Sequence, residues 1–581
     1  MAQGAVLAIV GLIPFFLLPR AALGLPEAPG EYDLGPTSIV VCEDAVFVAG
    51  HLSGHISVLS PDGGEVTGQF ALGQLIGSLE AVPGTNLLVA TAESLNEIFL
   101  LRWQQKRLDI VAKAPVPSTP VHAEPSPDGR WISVSSLWGR TISVFRLEDG
   151  MLRLGKRVTL PFSPRLQWWS PDGTHLVVVD SHGGQLAVLE TEGFTVRSLR
   201  QCDASGIRGI TLSRDGKSLL LAHNLVNSSN PTTQPMVFYG FVVSSGILVL
   251  ELENLLAPSE SNRIHQFGFH PLGDVKIGAG DPGQMQFLQD GGFAVCLGGV
   301  NEVAIGTGPG DVLARIPVGR RPVALAESQD GRFLYVANYF DDTVSVIDIE
   351  KKALLRNLLL NNNQPETPPS RRRGEILFYD AKVSLHGWSS CHSCHVDGHT
   401  TGGLADTLSD GTMYTPKRIP SLLGTVGTGP WGWDGMKITL HDQVLQSMRV
   451  TMQGEEMKKD TPENAALIVD YLATLKLPVR ASVKPAHYPS GMKIFKRLGC
   501  DECHALPGLT SRKSFDVGLW DEKGWKLFNP PSLLGIRHGN RFLHDNRADS
   551  LNAVFTEHGH PDGDPPTGKD LQSILSFLRN L

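Results

Sequence analysis

The sequence predicts a multidomain protein: an all-β propeller of seven blades over residues 30–356, then two small all-α domains over 374–480 and 481–581. Three observations predict it. Short alternating apolar runs bounded by Asp-Gly turns recur about every 40 residues through the first half. The composition then turns polar and Pro-rich across N-N-N-Q-P-E-T-P-P-S-R-R-R-G, which makes 357–373 a linker. Beyond it the phrase C-x-x-C-H occurs twice, at 391–395 and 500–504.

The first residues stand apart from the fold. Ala5 to Leu18 is an almost unbroken apolar run, closed by Pro19 and followed by small residues around Ala22-Leu23-Gly24, which is the pattern of a secretory signal peptide over 1–24. Its n-region has no Lys or Arg, and Arg20 follows the run. The run is shorter than the ~18 residues of a spanning helix, so the expected product is exported or periplasmic, with no membrane span after signal removal. About 550 residues then remain, more than one core holds at roughly 150 per domain. The balance of 51 Lys and Arg against 59 Asp and Glu, with no basic run longer than Arg371-Arg372-Arg373, proposes no nucleic-acid partner. Cys42, Cys202 and Cys296 are isolated in apolar surroundings and read as buried small hydrophobes, with one disulfide open to them.

The repeat is clearest in S-P-D-G-R-W-I-S-V, S-P-D-G-T-H-L-V-V-V and Q-D-G-R-F-L-Y-V-A-N. Its turns fall at Asp44, Gly84, Asp128, Asp172, Asp215, Asp290 and Asp330, mostly 40 to 44 residues apart. The step from 215 to 290 is longer and contains an inserted loop, N-S-S-N-P-T-T-Q-P. A period near 40 with alternating strands is that of a four-stranded propeller blade, which buries its faces only by stacking on neighbours. The phrases Y-V-A-N-Y-F-D-D-T-V-S-V-I-D and V-F-V-A-G-H-L-S-G-H-I-S-V-L resemble the YVTN family of β-propellers. Histidines of this half such as His51, His55, His122, His175 and His223 are scattered along the chain, and the half reads as a scaffold or docking surface.

In C-H-S-C-H and C-D-E-C-H, the spacing is that of c-type haem attachment, with thioethers at Cys391, Cys394, Cys500 and Cys503 and proximal iron ligands at His395 and His504. A redox dithiol does not require the adjacent histidine, and a zinc site does not require it twice. The surroundings repeat as well. G-E-I-L-F (374–378) matches G-M-K-I-F (491–495), I-P-S-L-L-G-T (419–425) matches P-P-S-L-L-G-I (530–536), and W-D-G at Trp433 stands against H-D-N at His544. The last landmark lies 42 residues past the first cysteine in one copy and 44 in the other. Two class I cytochrome c domains in tandem are expected.

This order, with L-F-Y-D-A-K-V-S-L before the first motif, D-Q-V after W-D-G, and F-L-H-D-N-R-A-D-S-L-N-A-V near the end, resembles the di-haem cytochrome c peroxidase superfamily, which includes the methylamine dehydrogenase maturation enzymes. The resemblance implies that Trp433 relays electrons between the haems, with Trp431 a less favoured relay. It places His558 of L-N-A-V-F-T-E-H as the distal ligand of the second haem, with His560 as near competitor. It also implies a distal Gln and Glu at the first haem, where this chain has Gln443 and Gln453, with Glu455 and Glu456 displaced. A calcium ion between the domains would fit the family.

The functional expectation is an exported di-haem oxidoreductase that reduces hydrogen peroxide, or uses it to oxidise a partner, at the first haem. Electrons would come from the second haem and from an external donor such as a small cytochrome or cupredoxin. The alternative is a non-catalytic di-haem electron-transfer protein whose propeller docks redox partners.

Overall fold

The computed structural model describes residues 33–581, apart from 43, 74, 259–262, 265–267, 312, 362–366, 455–457, 479–487 and 562. The expected signal peptide, Glu455 and Glu456 lie outside the described residues. Twenty-eight strands form seven four-stranded antiparallel sheets, each built from strands consecutive in the chain. The seven blades occupy 36–71, 76–115, 120–159, 164–201, 205–271, 282–317 and 322–359. Every sequence landmark from Asp44 to Asp330 falls in the turn between the first and second strands of a blade.

The chemistry of that turn recurs with the blade. In four blades a serine hydroxyl (Ser126, Ser170, Ser213, Ser328) donates at 2.6 Å to the aspartate two residues on, and Ser60 with Asp62 repeats the bond in the turn between the third and fourth strands of blade 1. The following glycine takes φ of +62 to +70°, the left-handed region in which glycine carries no Cβ penalty. Second strands such as Ala45–Gly50 and Leu87–Ala92 are buried at every residue, whereas the fourth strand Val66–Ala71 alternates half-buried with exposed. Outer strands present an unpaired edge, which bulges blunt. A register shift interrupts the third-to-fourth pairing in five blades, at Val58/Leu59, Leu100/Leu101, Val144/Phe145, Val188/Leu189 and Val346/Ile347. Blade 1 meets blade 7 through Ile39, Val48, Tyr335 and Val346, and the amides of Leu34 and Gly35 donate to Asp342 at 3.0 and 2.9 Å.

Residues 370–581 are helical and run through one element order twice. Helix Ser370–Tyr379, the C-x-x-C helix Cys391–Cys394, a short strand pair, helix Leu440–Gln446 and helix Pro462–Leu472 are followed by Tyr488–Arg497, Cys500–Cys503, a strand pair, Leu551–Thr556 and Gly568–Leu578. The glycine that opens each repeated phrase has a packing reason. A Cβ on Gly374 would come within 1.8 Å of the Leu467 carbonyl oxygen, and one on Gly491 within 2.4 Å of Phe577 Cβ, so the first and last helices of each unit cross at backbone contact.

This helical part docks on the propeller face opposite the Asp-Gly turns. The centre of the contact is charged and buried. Asp397, two residues beyond His395, accepts from Arg165 of blade 4 and Arg208 of blade 5, both at 2.7 Å. Asp281, at the entry to blade 6, accepts the hydroxyls of Ser390 and of Ser393, the latter at 2.7 Å, and the Asn224 amide at 3.0 Å. Arg321 lies 3.4 Å over the Tyr379 ring. Backbone pairs complete the seam: Gly278 N–H to His386 O at 2.8 Å and Ala381 N–H to Gly299 O at 2.8 Å.

Burial opposes ionisation of Asp397, but the Arg208 and Arg165 guanidiniums outweigh it and hold the carboxyl well below its usual range. Burial opposes ionisation of Asp281 too, and His392, Ser390 and Ser393 bring it to about 2. Both are depressed, so their contribution to docking is full above the ordinary carboxylate value near 4 and is lost as pH falls towards 2. Removing one partner of such a pair leaves the other charge buried, at a cost of about 3–5 kcal/mol. In urea titrations of R208M at pH 7, the helical part is therefore expected to unfold at lower urea than in the wild type. Monitored at pH 3, the difference between the two should shrink.

Candidate functional site

The two C-x-x-C-H turns are nearly superimposable in backbone. His395 and His504 share φ of −106° with ψ of 63° and 64°, and their amides donate to the carbonyls of Cys391 and Cys500 at 2.9 and 2.8 Å. Each imidazole is oriented from behind. Nδ1 of His395 lies 3.0 Å from Pro420 O, and Nδ1 of His504 lies 3.1 Å from Leu509 O. Burial pushes both histidines down to about 4, so they are neutral at pH 7. A neutral ring that donates from Nδ1 has its lone pair on Nε2, which is the form a metal takes up. No disulfide joins the four half-buried cysteines of these turns.

Both turns open on one continuous cavity of about 750 Å³. Its wall is mainly apolar, with Phe378, Leu422, Val444 and Leu472 around the first turn and Phe495, Val554, Phe555 and Ile574 around the second. Several polar atoms in that wall are buried without a hydrogen-bond partner: Arg418 Nε, His544 Nε2, Gln443 Oε1, Asp406 Oδ1 and Thr232 Oγ1. Buried polar groups are nearly always paired, so a row of orphans marks the place of a large polar-edged ligand. Four cysteines, two backed imidazoles, an apolar cleft and the buried guanidinium of Arg418 are the donor set that two covalently attached haems, with their carboxylate tails, require.

Trp433 lies in the cavity wall, its Nε1–H donating to Arg418 O at 2.8 Å and its ring 6.3 Å from that of His544. Trp431 also borders the cavity but packs into the core of the first helical unit, donating to Thr425 Oγ1 at 3.2 Å. Gln443 donates to Ser447 Oγ at 3.3 Å at the start of a π-helical turn, Ser447–Thr451. Gln453, with φ of +52°, is turned away to donate to Thr232 O of the propeller at 2.8 Å. His558 is outside the cavity wall, its Nε2 3.0 Å from Arg547 O, whereas His560 is part of that wall. His399 is buried rather than at the surface, its Nδ1 2.8 Å from Ser421 Oγ and its ring 4.8 Å from that of His182 in blade 4.

One contribution was not visible in the sequence. The insert between the second and third strands of blade 5, with its helix Gln234–Phe238, reaches into the helical part and lines the cavity with Thr232, Val237, Val242 and Val243. Val237, Val242 and Val243 pack with Leu385 against Cys394, and Trp388 Nε1 donates to Phe238 O at 3.1 Å. In the propeller itself, His122 stands 3.8 Å from Glu80 and 3.9 Å from Glu124, with Nδ1 2.8 Å from Gln167. Among the described residues, no three His, Cys, Asp or Glu side chains are grouped to hold a metal ion. No described helix is long and apolar enough to cross a membrane.

Fold and site define a class: a seven-bladed β-propeller joined to a helical part that carries paired C-x-x-C-H motifs on one cavity. The C-terminal part is related to the di-haem cytochrome c peroxidases, whose family model matches residues 371–477, a span that holds the first C-x-x-C-H and ends before the second. The chain is 25% identical over 244 residues to the methylamine utilization protein MauG of Methylorubrum extorquens, covering 33% of this chain and 69% of that protein. It is 25% identical over 195 residues to the cytochrome c551 peroxidase of Pseudomonas aeruginosa, spanning just over half (56%) of that protein and 27% of this chain. A solved chain of Kuenenia stuttgartiensis hydrazine synthase superposes over 58% of this chain and 99% of its own, at 20% identity and a TM-score of 0.48.

Attachment is testable by stoichiometry. The double variant C391S/C394S is expected to halve the pyridine haemochrome absorbance per chain, leaving a single attached haem.

Proposed function

We propose that the protein is an exported di-haem oxidoreductase with peroxidase-like chemistry. Two cytochrome c domains, 374–480 and 481–581, would each carry one haem, with hydrogen peroxide reduced at the first. The observation that carries this reading is the single cavity reaching both C-x-x-C-H turns with Trp433 in its wall. Bound haem would supply one-electron chemistry and an iron able to take up peroxide. The chain's own residues do the rest. Cys391 and Cys394 would attach the first group, and His395, oriented by Pro420 O, would hold its iron from Nε2. Arg418, with an unpartnered Nε at the cavity, would pair with the carboxylate tails. Trp433, fixed through Arg418 O, bridges the two sites for electron transfer. Cys500, Cys503 and His504 hold the second haem as an electron store, refilled by a small redox protein such as a cytochrome or cupredoxin.

For the sixth position of the second haem we assign His560 in place of His558. Helix Leu551–Thr556 ends early, and the amides of His558 and His560 fold back onto Ala553 O and Val554 O at 3.1 and 3.0 Å. That wrap turns His558 towards Arg547 O and sets His560 in the wall, among the charges felt by His504. H560A is expected to convert one haem from low-spin to high-spin absorption, and H558A to leave the spectrum unchanged. The reverse result would restore His558.

A second reading, a di-haem electron carrier without peroxide turnover, is favoured by one observation. Gln453, near the place where the family has its distal glutamate, is a neutral amide tied to the propeller. Stopped-flow mixing of the half-reduced protein with stoichiometric hydrogen peroxide separates the two. The peroxidase reading expects rapid oxidation of both haems in step. Soret bands that stay low-spin and unchanged through many seconds of excess peroxide would establish the carrier.

A further inference from the structure

Asp406 and Thr232 meet where the propeller insert touches the first helical unit. Both side chains are 2% exposed, and both border the cavity. Asp406 Oδ2 accepts the Tyr414 amide, but Oδ1 has no hydrogen-bond partner, and neither has Thr232 Oγ1. The two residues are joined through the backbone, Thr232 N–H donating to Asp406 O at 3.0 Å. Thr232 O in turn accepts the Gln453 amide at 2.8 Å. The segment after Asp406 runs along the helix that carries Gln443: Gln446 Nε2 donates to Ser409 O at 2.9 Å and Thr451 Oγ1 to Thr407 O at 3.3 Å. Gln443 Oε1 is the third unpartnered atom on this side of the cavity.

A buried carboxylate oxygen with no donor is among the least tolerable of polar atoms, so its retention beside an unpaired hydroxyl points to a ligand that supplies a proton. Peroxide cleavage needs such a group, because a proton must move from one oxygen to the other. Gln453 cannot serve. An amide does not accept a proton near neutral pH, and this one is engaged by the propeller. Burial raises the Asp406 carboxyl above its usual range, against the pull of the Tyr414, Thr415 and Leu408 amides, which brings it nearer the pH at which a general base works best.

We propose that Asp406, with Thr232 contributed by the propeller, is the proton-transfer group for hydrogen peroxide at the first haem. The inference rests on the peroxidase reading above. The carboxylate takes a proton from one oxygen of the peroxide and returns it to the other. As the O–O bond breaks, two electrons would come from the haems and two protons from solvent, so that hydrogen peroxide leaves as two molecules of water. Thr232 Oγ1–H donates to the carboxylate or to the bound peroxide and keeps the pair aligned. The propeller is then part of the reactive site.

The test uses the holoprotein and the variants D406N, D406E, T232V and E455Q/E456Q. D406N retains an oxygen to accept the Tyr414 amide, so the loop remains tied. The first readout is equilibrium fluoride binding to the ferric protein, followed by haem absorption from pH 5 to 8. Wild type should bind with a pH-dependent affinity; D406N should bind about tenfold more weakly and lose that dependence. The second is the rate of reaction with peroxide, expected to fall roughly 100-fold in D406N, less in T232V, and to recover in part in D406E. A D406N protein with wild-type rate and pH profile overturns the proposal even if its reduction potential has moved, since a residue that only anchors haem carboxylates would behave so. Loss of reaction in E455Q/E456Q with D406N unimpaired also overturns it. If wild type itself neither binds fluoride nor reacts with peroxide, the peroxidase reading falls and this inference with it.

Discussion

Two guanidiniums on one carboxylate hold the molecule together. Arg165 and Arg208 reach Asp397 from neighbouring blades, and Asp397 follows His395 by two residues, so the charge network bears directly on the first C-x-x-C-H turn. The other end of the same short helix is held by Asp281, which takes the hydroxyls of Ser390 and Ser393. Helix 391–394 is thus clamped at both ends by the propeller. Such buried charges contribute little net stability when complete and cost much when incomplete. Their effect is to admit one docking geometry.

The second C-x-x-C-H turn has the same backbone and none of these restraints. Its helix is preceded by Gly499 at φ of +68°. Burial raises Cys391 and Cys394 to about 12 and Cys500 only to about 11, which reports the same difference in enclosure. Two turns with one local geometry therefore sit in unlike surroundings. In the reading proposed above, this difference in surroundings, rather than in the ligating histidine, is what would let one site carry out chemistry and the other store charge.

What the sequence made legible was local. The Ser-x-Asp-Gly turn is satisfied within five residues and marks the first-to-second turn of four blades, and the step of about 40 residues between it and the less regular turns at Asp44, Gly84 and Asp290 made the blades countable. The glycines of G-E-I-L-F and G-M-K-I-F mark helix crossings, so the tandem repeat of the helical part was readable from the same kind of signal. What stayed hidden depended on contacts far apart in sequence. Nothing near Arg165, Arg208 or Asp281 announces a partner roughly 100 to 230 residues away. His558 was placed by the family resemblance of L-N-A-V-F-T-E-H alone, with His560 as near competitor. The backbone wraps after Thr556, and this sets His560 rather than His558 at the cavity wall.

The insert in blade 5 is the least readable element and bears most on function. A loop lengthened at a propeller turn costs little, because its ends stay fixed by the paired strands and closure entropy grows only slowly with length. Its sequence looked like surface loop, rich in Asn, Ser, Thr and Pro. Yet its Thr232 ties up Gln453 and its Val237, Val242 and Val243 pack against Cys394. A wall supplied by another domain can be altered without touching the C-x-x-C-H turns, so under the proposed function the size and polarity of what reaches the first site would be set by the propeller independently of Trp433. The propeller and the helical part are in this sense one active unit, and a helical part separated from its propeller would lose both the clamp on its proximal turn and one side of its cavity.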